Sequence, residues 1–166
     1  MTNVKEGSTA ATNRTAVERK SDRELVVMRT FDAPVHTVFE AWSKPELFQR
    51  WWVPKSVGLA LLSCDMDVRT GGSYRLVFRH PSFDQPMAFF GTYREVVPNK
   101  RIVWTNEESE QGAVTTVTFE EMSGKTRVTL HELYPTTAAL DEALAGSAEG
   151  LPEQFDQLDE LLAGGA

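Results

Sequence analysis

Between Val57 and Tyr134 the apolar residues recur at every second position, and turn-forming clusters cut this stretch into six runs of strand length. The cuts fall at Thr70-Gly71-Gly72, Pro81 to Pro86, Pro98-Asn99, Glu107 to Gly112 and Ser123-Gly124. Connections this short join neighbouring antiparallel strands, so the stretch predicts a meander. Paired strands must bury the same face, which tests each turn length. A three-residue loop Thr70 to Gly72 pairs Val68 with Tyr74 and Cys64 with Phe78, aligns Leu62, Cys64, Met66 and Val68 with the inner face, and sets Asp67 opposite Arg75 outside. Two-residue turns at Pro98-Asn99 and Ser123-Gly124 pair Tyr93 with Trp104, Phe119 with Val128, Val117 with Leu130, and Thr115 with Glu132.

The flanks of the meander read differently. Residues 1 to 22 are polar, without an aromatic side chain or a clear period, and read as a disordered tail ahead of one domain over 23–166. Glu24 to Phe31 is apolar and β-branched enough for a seventh strand. Asp32-Ala33-Pro34 offers an N-cap and a first-turn proline for a helix carrying Val35, Val38, Phe39 and Trp42. Ser43-Lys44-Pro45-Glu46 fits a capping box for a second helix with Leu47, Phe48, Trp51 and Trp52, ended by Pro54. From Thr136 to Ala163 the residues Leu140, Leu144, Ala148, Leu151, Phe155, Leu158 and Leu162 form a helical stripe. A break is expected between about Gly146 and Pro152, with the longest continuous helix running from there to about Ala163. The other face of that segment holds Asp141, Glu142, Glu149, Glu153, Asp156, Asp159 and Glu160 and no Lys or Arg, and reads as a solvated face.

A long sheet with one apolar face and a terminal helix with one apolar stripe satisfy each other when the helix lies across the concave side of the sheet. Gly91, in mid-strand, is a place for the necessary curvature. The fold expected is therefore α+β, of order β-α-α-β6-α, with a curved seven-stranded antiparallel sheet. Two outcomes stay open for the space between: a packed core, or a cavity walled by rigid aromatics. The residues expected to line it are Trp42, Trp51, Trp52, Tyr74, Phe78, Tyr93, Trp104, Phe119, Leu130, Glu132, Leu151 and Phe155.

The segments Phe31-Asp32-Ala33-Pro34, Ala41-Trp42-Ser43-Lys44-Pro45-Glu46, Trp51-Trp52-Val53-Pro54, Asp67-Val68-Arg69-Thr70-Gly71-Gly72-Ser73-Tyr74-Arg75 and Gly91-Thr92-Tyr93-Arg94-Glu95-Val96-Val97-Pro98 stand in this order on those elements. Together they resemble the family named for the activator of the heat-shock-protein-90 ATPase, within the START-like, birch-pollen-allergen-like (SRPBCC) helix-grip superfamily. The resemblance covers about residues 23 to 163. It implies a helix-grip fold with a hydrophobic cavity between sheet and last helix. It implies no single activity, because superfamily members bind lipids, sterols, flavonoids or polyketides, and some cyclise or dehydrate them. Stimulation of a chaperone ATPase is not expected, since in the co-chaperone this domain follows a separate chaperone-binding domain that the present chain has no residues left to supply.

Chemistry-bearing residues are sparse. His36, His80 and His131 lack zinc-ligand spacing, and Cys64 alone builds neither a disulfide framework nor a thiolate cluster, so no metal and no cofactor is expected. A single cysteine and a polar first segment point to a reducing, cytoplasmic location. No apolar run approaches the roughly 18 residues of a membrane span. A net charge of −7 argues against nucleic acid as a partner. Glu132 shares the parity of Val128 and Leu130 and is the one candidate acid or base, either facing the cavity with its pKa raised by desolvation or reaching water at the strand end. The first reading is thus a binding protein for a small hydrophobic molecule, aromatic, polyketide-like or lipid-like. The alternatives are a cyclase or dehydratase using Glu132, with His80 or Tyr93 as assistants, and a protein-interaction or co-chaperone-like module docking through Trp51, Trp52 and the acidic helix. An unpaired edge strand leaves a homodimer open.

Overall fold

The sheet is built by eight antiparallel strands, and the computed structural model describes residues 15–145 and 150–164. In chain order the elements are β1 (Ala16–Arg19), β2 (Glu24–Phe31), α1 (Val35–Ser43), α2 (Pro45–Phe48), a single 3₁₀ turn (Lys55–Val57), β3 (Ala60–Met66), β4 (Ser73–Arg79), β5 (Met87–Val97), β6 (Arg101–Thr105), β7 (Val114–Met122), β8 (Lys125–Leu133), α3 (Thr137–Ala145) and α4 (Gly150–Ala163). Strand order across the sheet is β1-β2-β8-β7-β6-β5-β4-β3, so the meander closes back onto β2 and leaves β1 and β3 at the edges.

The extra strand is β1, inside the stretch expected to be a disordered tail; residues 1–14 lie outside those described. All four of its residues are exposed, so no apolar period announces it. Its pairing with β2, Val17 opposite Val27, rests on backbone hydrogen bonds. Arg19 also reaches Asp141 on α3, at 2.8 Å.

Helix starts also depart from expectation. Pro34, not Asp32, caps α1, and Ser43 ends that helix instead of opening the next; neither cap carries a side-chain hydrogen bond. A proline at the first position of α2 already supplies helical φ, and α2 stops at Phe48, leaving Trp51 and Trp52 in the turns beyond it. The expected break in the terminal helix falls across 146–149, outside the described residues, while Pro152 stands in the first turn of α4, where its missing N–H costs nothing.

Register shows where local patterning suffices. The β7–β8 hairpin has the expected two-residue turn, with Ser123 and Gly124 both at positive φ, and pairs Phe119 with Val128, Val117 with Leu130 and Thr115 with Glu132. Between β5 and β6, Tyr93 does face Trp104, by a different route. The turn holds three residues, because Val97 pairs with Arg101, and a bulge between Tyr93 and Glu95 absorbs the extra one.

The β3–β4 register is a correction. Met66, not Val68, pairs with Tyr74, Cys64 pairs with Leu76, and Asp65 rather than Asp67 faces Arg75. The connection runs from Asp67 to Gly72 and is fastened to β5, with the Gly71 N–H donating to Tyr93 O and the Tyr93 N–H to Gly72 O. Gly72 makes this possible, for a Cβ there would stand 2.0 Å from Asp67 O. A further irregularity between Leu61 and Ser63 turns Leu62 out of the inner face, 52% exposed.

On the concave side, α1 and α4 cover the sheet. Phe155 and Leu158 of α4 are fully buried, and Phe155 packs on Phe31 and Trp42 at 5.8 and 6.1 Å between ring centres. Arg29 of β2, 7% exposed, reaches Asp156 and Asp159 of α4 at 2.5 and 3.0 Å. The acidic face of the terminal segment is therefore not all solvated: it carries the ion pairs that tie helix to sheet.

Candidate functional site

The interior is divided. Beneath α4 the described side chains pack tightly: Trp51, Leu130 and Phe155 are at zero exposure and Phe119 nearly so. Farther along the sheet, between the loop around α2 and strands β3 to β6, a cavity of about 50 Å³ remains. Where one water needs roughly 10–15 Å³, that is room for about three to five. Its roof is Trp42 of α1, Phe48 of α2 and Trp52; its floor is Met66, Tyr74, Leu76, Phe89, Tyr93 and Trp104, with Asn106 at one corner.

Of the residues expected to line it, Trp42, Trp52, Tyr74, Tyr93 and Trp104 do so together. Trp51 stands behind Trp42, 4.7 Å between ring centres, with its indole N–H on Ala41 O. Phe78 packs on Phe89 and Phe119 on Phe39, so both belong to the packed part. Phe155, on α4, and Leu130, paired with Val27 of β2, are fully buried and do not line the cavity, and the side chain of Leu151 lies outside the described residues. The cavity was expected between sheet and terminal helix, yet no described residue of α4 lines it. The bulky, fully buried Phe155 and Leu158 fill the space there.

Four lining residues absent from that expectation had a periodic signal, three of strand parity and one of helical spacing. Met66 and Leu76 share the face of Tyr74, Phe89 that of Gly91 and Tyr93, and Phe48 belonged to an apolar stripe. Phe89 is 39% exposed and, with the partly exposed Trp52, marks the mouth. Gly91 lets β5 press close to β6, since a Cβ there would lie 2.0 Å from Thr105 O. Asn106 had no signal, being a polar residue just past a strand.

The α4 helix shapes this site without touching it. Gln157 donates to Trp51 O at 2.9 Å and Val53 O at 2.8 Å and accepts from the Lys55 N–H at 2.9 Å, while Gln154 donates to Trp52 O. Two glutamines thus hold the backbone of the tryptophan loop. Glu153 adds hydrogen bonds from the Ser56 amide and hydroxyl, and these hold its carboxyl below the usual range.

Electrostatically the pocket is neutral, with no charged side chain in its wall. Burial pushes the Tyr74 and Tyr93 hydroxyls well up, so both stay protonated. Tyr74 Oη lies 2.7 Å from Thr105 O and 3.2 Å from Asn106 Oδ1. The Trp42 indole N–H is buried and has no partner among the described residues. Glu132 faces inward opposite Thr115 but does not border the cavity. Burial raises its pKa, against hydrogen bonds from Tyr134 Oη at 2.6 Å and from Thr115. The histidines stand elsewhere: His36 is exposed, His131 pairs with Glu24 at 3.2 Å, and His80 accepts from the Ser82 N–H in a turn. Cys64, half-buried, sits 3.5 Å from the Met66 sulfur. Among the described residues no group of three His, Cys, Asp or Glu could hold a metal ion, and no described helix is long and apolar enough to cross a membrane.

The family model of activator of Hsp90 ATPase homolog 1-like proteins matches residues 32–163. The chain belongs to that family. Among similar solved structures, a protein from Rhodobacter sphaeroides shares 22% identity at a TM-score of 0.82, covering 91% of this chain and 99% of that one. One from Staphylococcus epidermidis shares 28% at 0.75, covering 91% and 95%, and an AHSA1-like protein from Aeromonas hydrophila shares 18% at 0.66, covering 81% and 92%. No curated protein matches. The expected helix-grip architecture is thus present here, with eight strands in place of the seven expected from the sequence.

Proposed function

We propose that the protein binds a small, uncharged, largely aromatic molecule in the cavity between the tryptophan loop and strands β3 to β6. One observation carries this reading: rigid rings line both sides, Trp42, Phe48 and Trp52 above and Tyr74, Tyr93 and Trp104 below, and although Trp104 packs on Trp42 and Trp52 at 6.2 and 6.3 Å between ring centres, a space remains between roof and floor. At about 50 Å³ the space is well short of the roughly 300–1,000 Å³ typical of sites for drug-sized ligands. A guest therefore enters by moving the two mouth residues, Trp52 and Phe89. A carboxylate finds no cation in the wall and loses its hydration on entry, which disfavours fatty acids.

Catalysis at Glu132 has a single observation in its favour, a carboxyl raised by burial. A molecule in the cavity meets Asn106 before Thr115 or Glu132, so binding is the stronger reading. Docking through Trp51 loses its basis, since that ring is fully buried.

The test is a titration of the full chain with naphthalene, 2-naphthoate and decanoate, followed by tryptophan fluorescence and thermal melting. Naphthalene should change the emission of the tryptophans at the cavity and raise the melting temperature; at a hundredfold excess over Kd the linkage gain is about 2.7 kcal/mol. The two anions should do neither at the same concentrations. A neutral aromatic without effect on either readout would remove the proposal.

A further inference from the structure

One corner of the cavity is polar, and its hydrogen bonds can be counted. Asn106 Nδ2 donates to Ala113 O at 2.6 Å and to Thr115 Oγ1 at 3.1 Å. A carbonyl oxygen only accepts, so Ala113 dictates which end of the amide is nitrogen. The Thr115 hydroxyl oxygen accepts the second amide hydrogen. Both amide hydrogens are used, and Oδ1 is turned toward Tyr74. The Tyr74 hydroxyl has one hydrogen and two acceptors, and the shorter contact, 2.7 Å, goes to Thr105 O. Asn106 Oδ1, at 3.2 Å, is left with acceptor capacity to offer, on a residue that lines the cavity.

An acceptor fixed beside an apolar space favours a guest that brings a donor and penalises one that does not. We infer that the pocket selects uncharged aromatic molecules bearing a hydroxyl group, and that Asn106 Oδ1 receives the hydroxyl proton. This rests on the binding reading above and adds the polar group by which ligands are told apart. Thr115 holds the amide without lining the cavity.

Paired titrations of the full chain with 1-naphthol and naphthalene, read by tryptophan fluorescence, separate the two levels. A neutral hydrogen bond that is made with one ring and missing with the other should give 1-naphthol an advantage of about fivefold or more. Equal affinities overturn the inference and leave the binding reading standing; silence from both rings overturns the two together. In Asn106→Leu the ratio of the two affinities should fall to about one, and a ratio that persists overturns the assignment. Because that variant unpairs Ala113 O and can compromise folding, Tyr74→Phe is the companion. It removes the competing donor, so the ratio should hold or rise. Collapse of the ratio in Tyr74→Phe would make Tyr74 the receiving group and overturn the role of Asn106.

Discussion

Glu132 is an inward-facing carboxyl opposite Thr115 that accepts from the Tyr134 hydroxyl. Tyr134 and Thr115 donate to its oxygens, yet desolvation outweighs them and its pKa in the folded protein is raised. An acid whose folded pKa lies above its unfolded value adds stability that is complete below the unfolded value, near 4.5, and is lost as pH rises through the folded value. Glu132→Gln keeps the size and an acceptor oxygen but cannot ionise. Its stability relative to the parent should therefore improve steadily as pH is raised from 4 to 8 in paired denaturant titrations. A pH-independent difference between the two proteins would show that the carboxyl is solvated in the folded state. The position and inward parity of Glu132 were readable from the β7–β8 turn chemistry. Thr115 was readable with it as the residue opposite, whereas Tyr134, beyond the strand, and Asn106, on the far side of Thr115, carry no periodic signal.

At the scale of elements, the terminal helix acts on the pocket through the loop it grips. Gln157 satisfies two carbonyls and one amide of residues 51–55, all on a chain segment without regular hydrogen bonding of its own. Replacing it by leucine preserves the buried volume and leaves those groups unpaired. Gln157→Leu should cost about 2–3 kcal/mol in a chemical melt. It should also loosen Trp52, visible as red-shifted tryptophan emission. A variant as stable as the parent would mean that water replaces the glutamine. The same helix is bound to β2 by Arg29, whose partners Asp156 and Asp159 look in sequence like ordinary surface acids. Spacing along one helix cannot reveal a cation on a strand that precedes it by more than a hundred residues. The β3–β4 connection makes a similar point: Gly71-Gly72 announces a turn, while its length depends on hydrogen bonds to β5.

For the whole molecule, acid should be the destabilising direction. Glu24, held down chiefly by His131, Glu95 by Arg101, Glu107 by Thr105 and Thr92, and Glu153 by Ser56 all have lowered pKa values. Such groups contribute stability above the unfolded carboxylate value and lose it as pH falls through their folded values. Glu107 is exposed and the other three are partly exposed, so each effect is small and only their sum is measurable. Thermal melts should show a falling melting temperature below about pH 4.5, with Glu132 opposing the trend. A flat profile from pH 6 to 3 would mean that these hydrogen bonds are absent in solution.

Alternation and turn chemistry are local, so the chain alone determined the antiparallel meander, its inner and outer faces except at Leu62, and the aromatic character of the interior. Even the Tyr93–Trp104 pair was fixed this way, although a longer turn and a bulge had to cancel to produce it. Whether inward side chains touch or leave a gap depends on distances between elements remote in sequence, and these the tertiary structure decided. Phe155 meets Phe31 and Trp42 and shuts one half of the hollow, while Trp52 and Phe89 stop short of shutting the other. Asn106 acquires its orientation only because Ala113 and Thr115 are brought beside it.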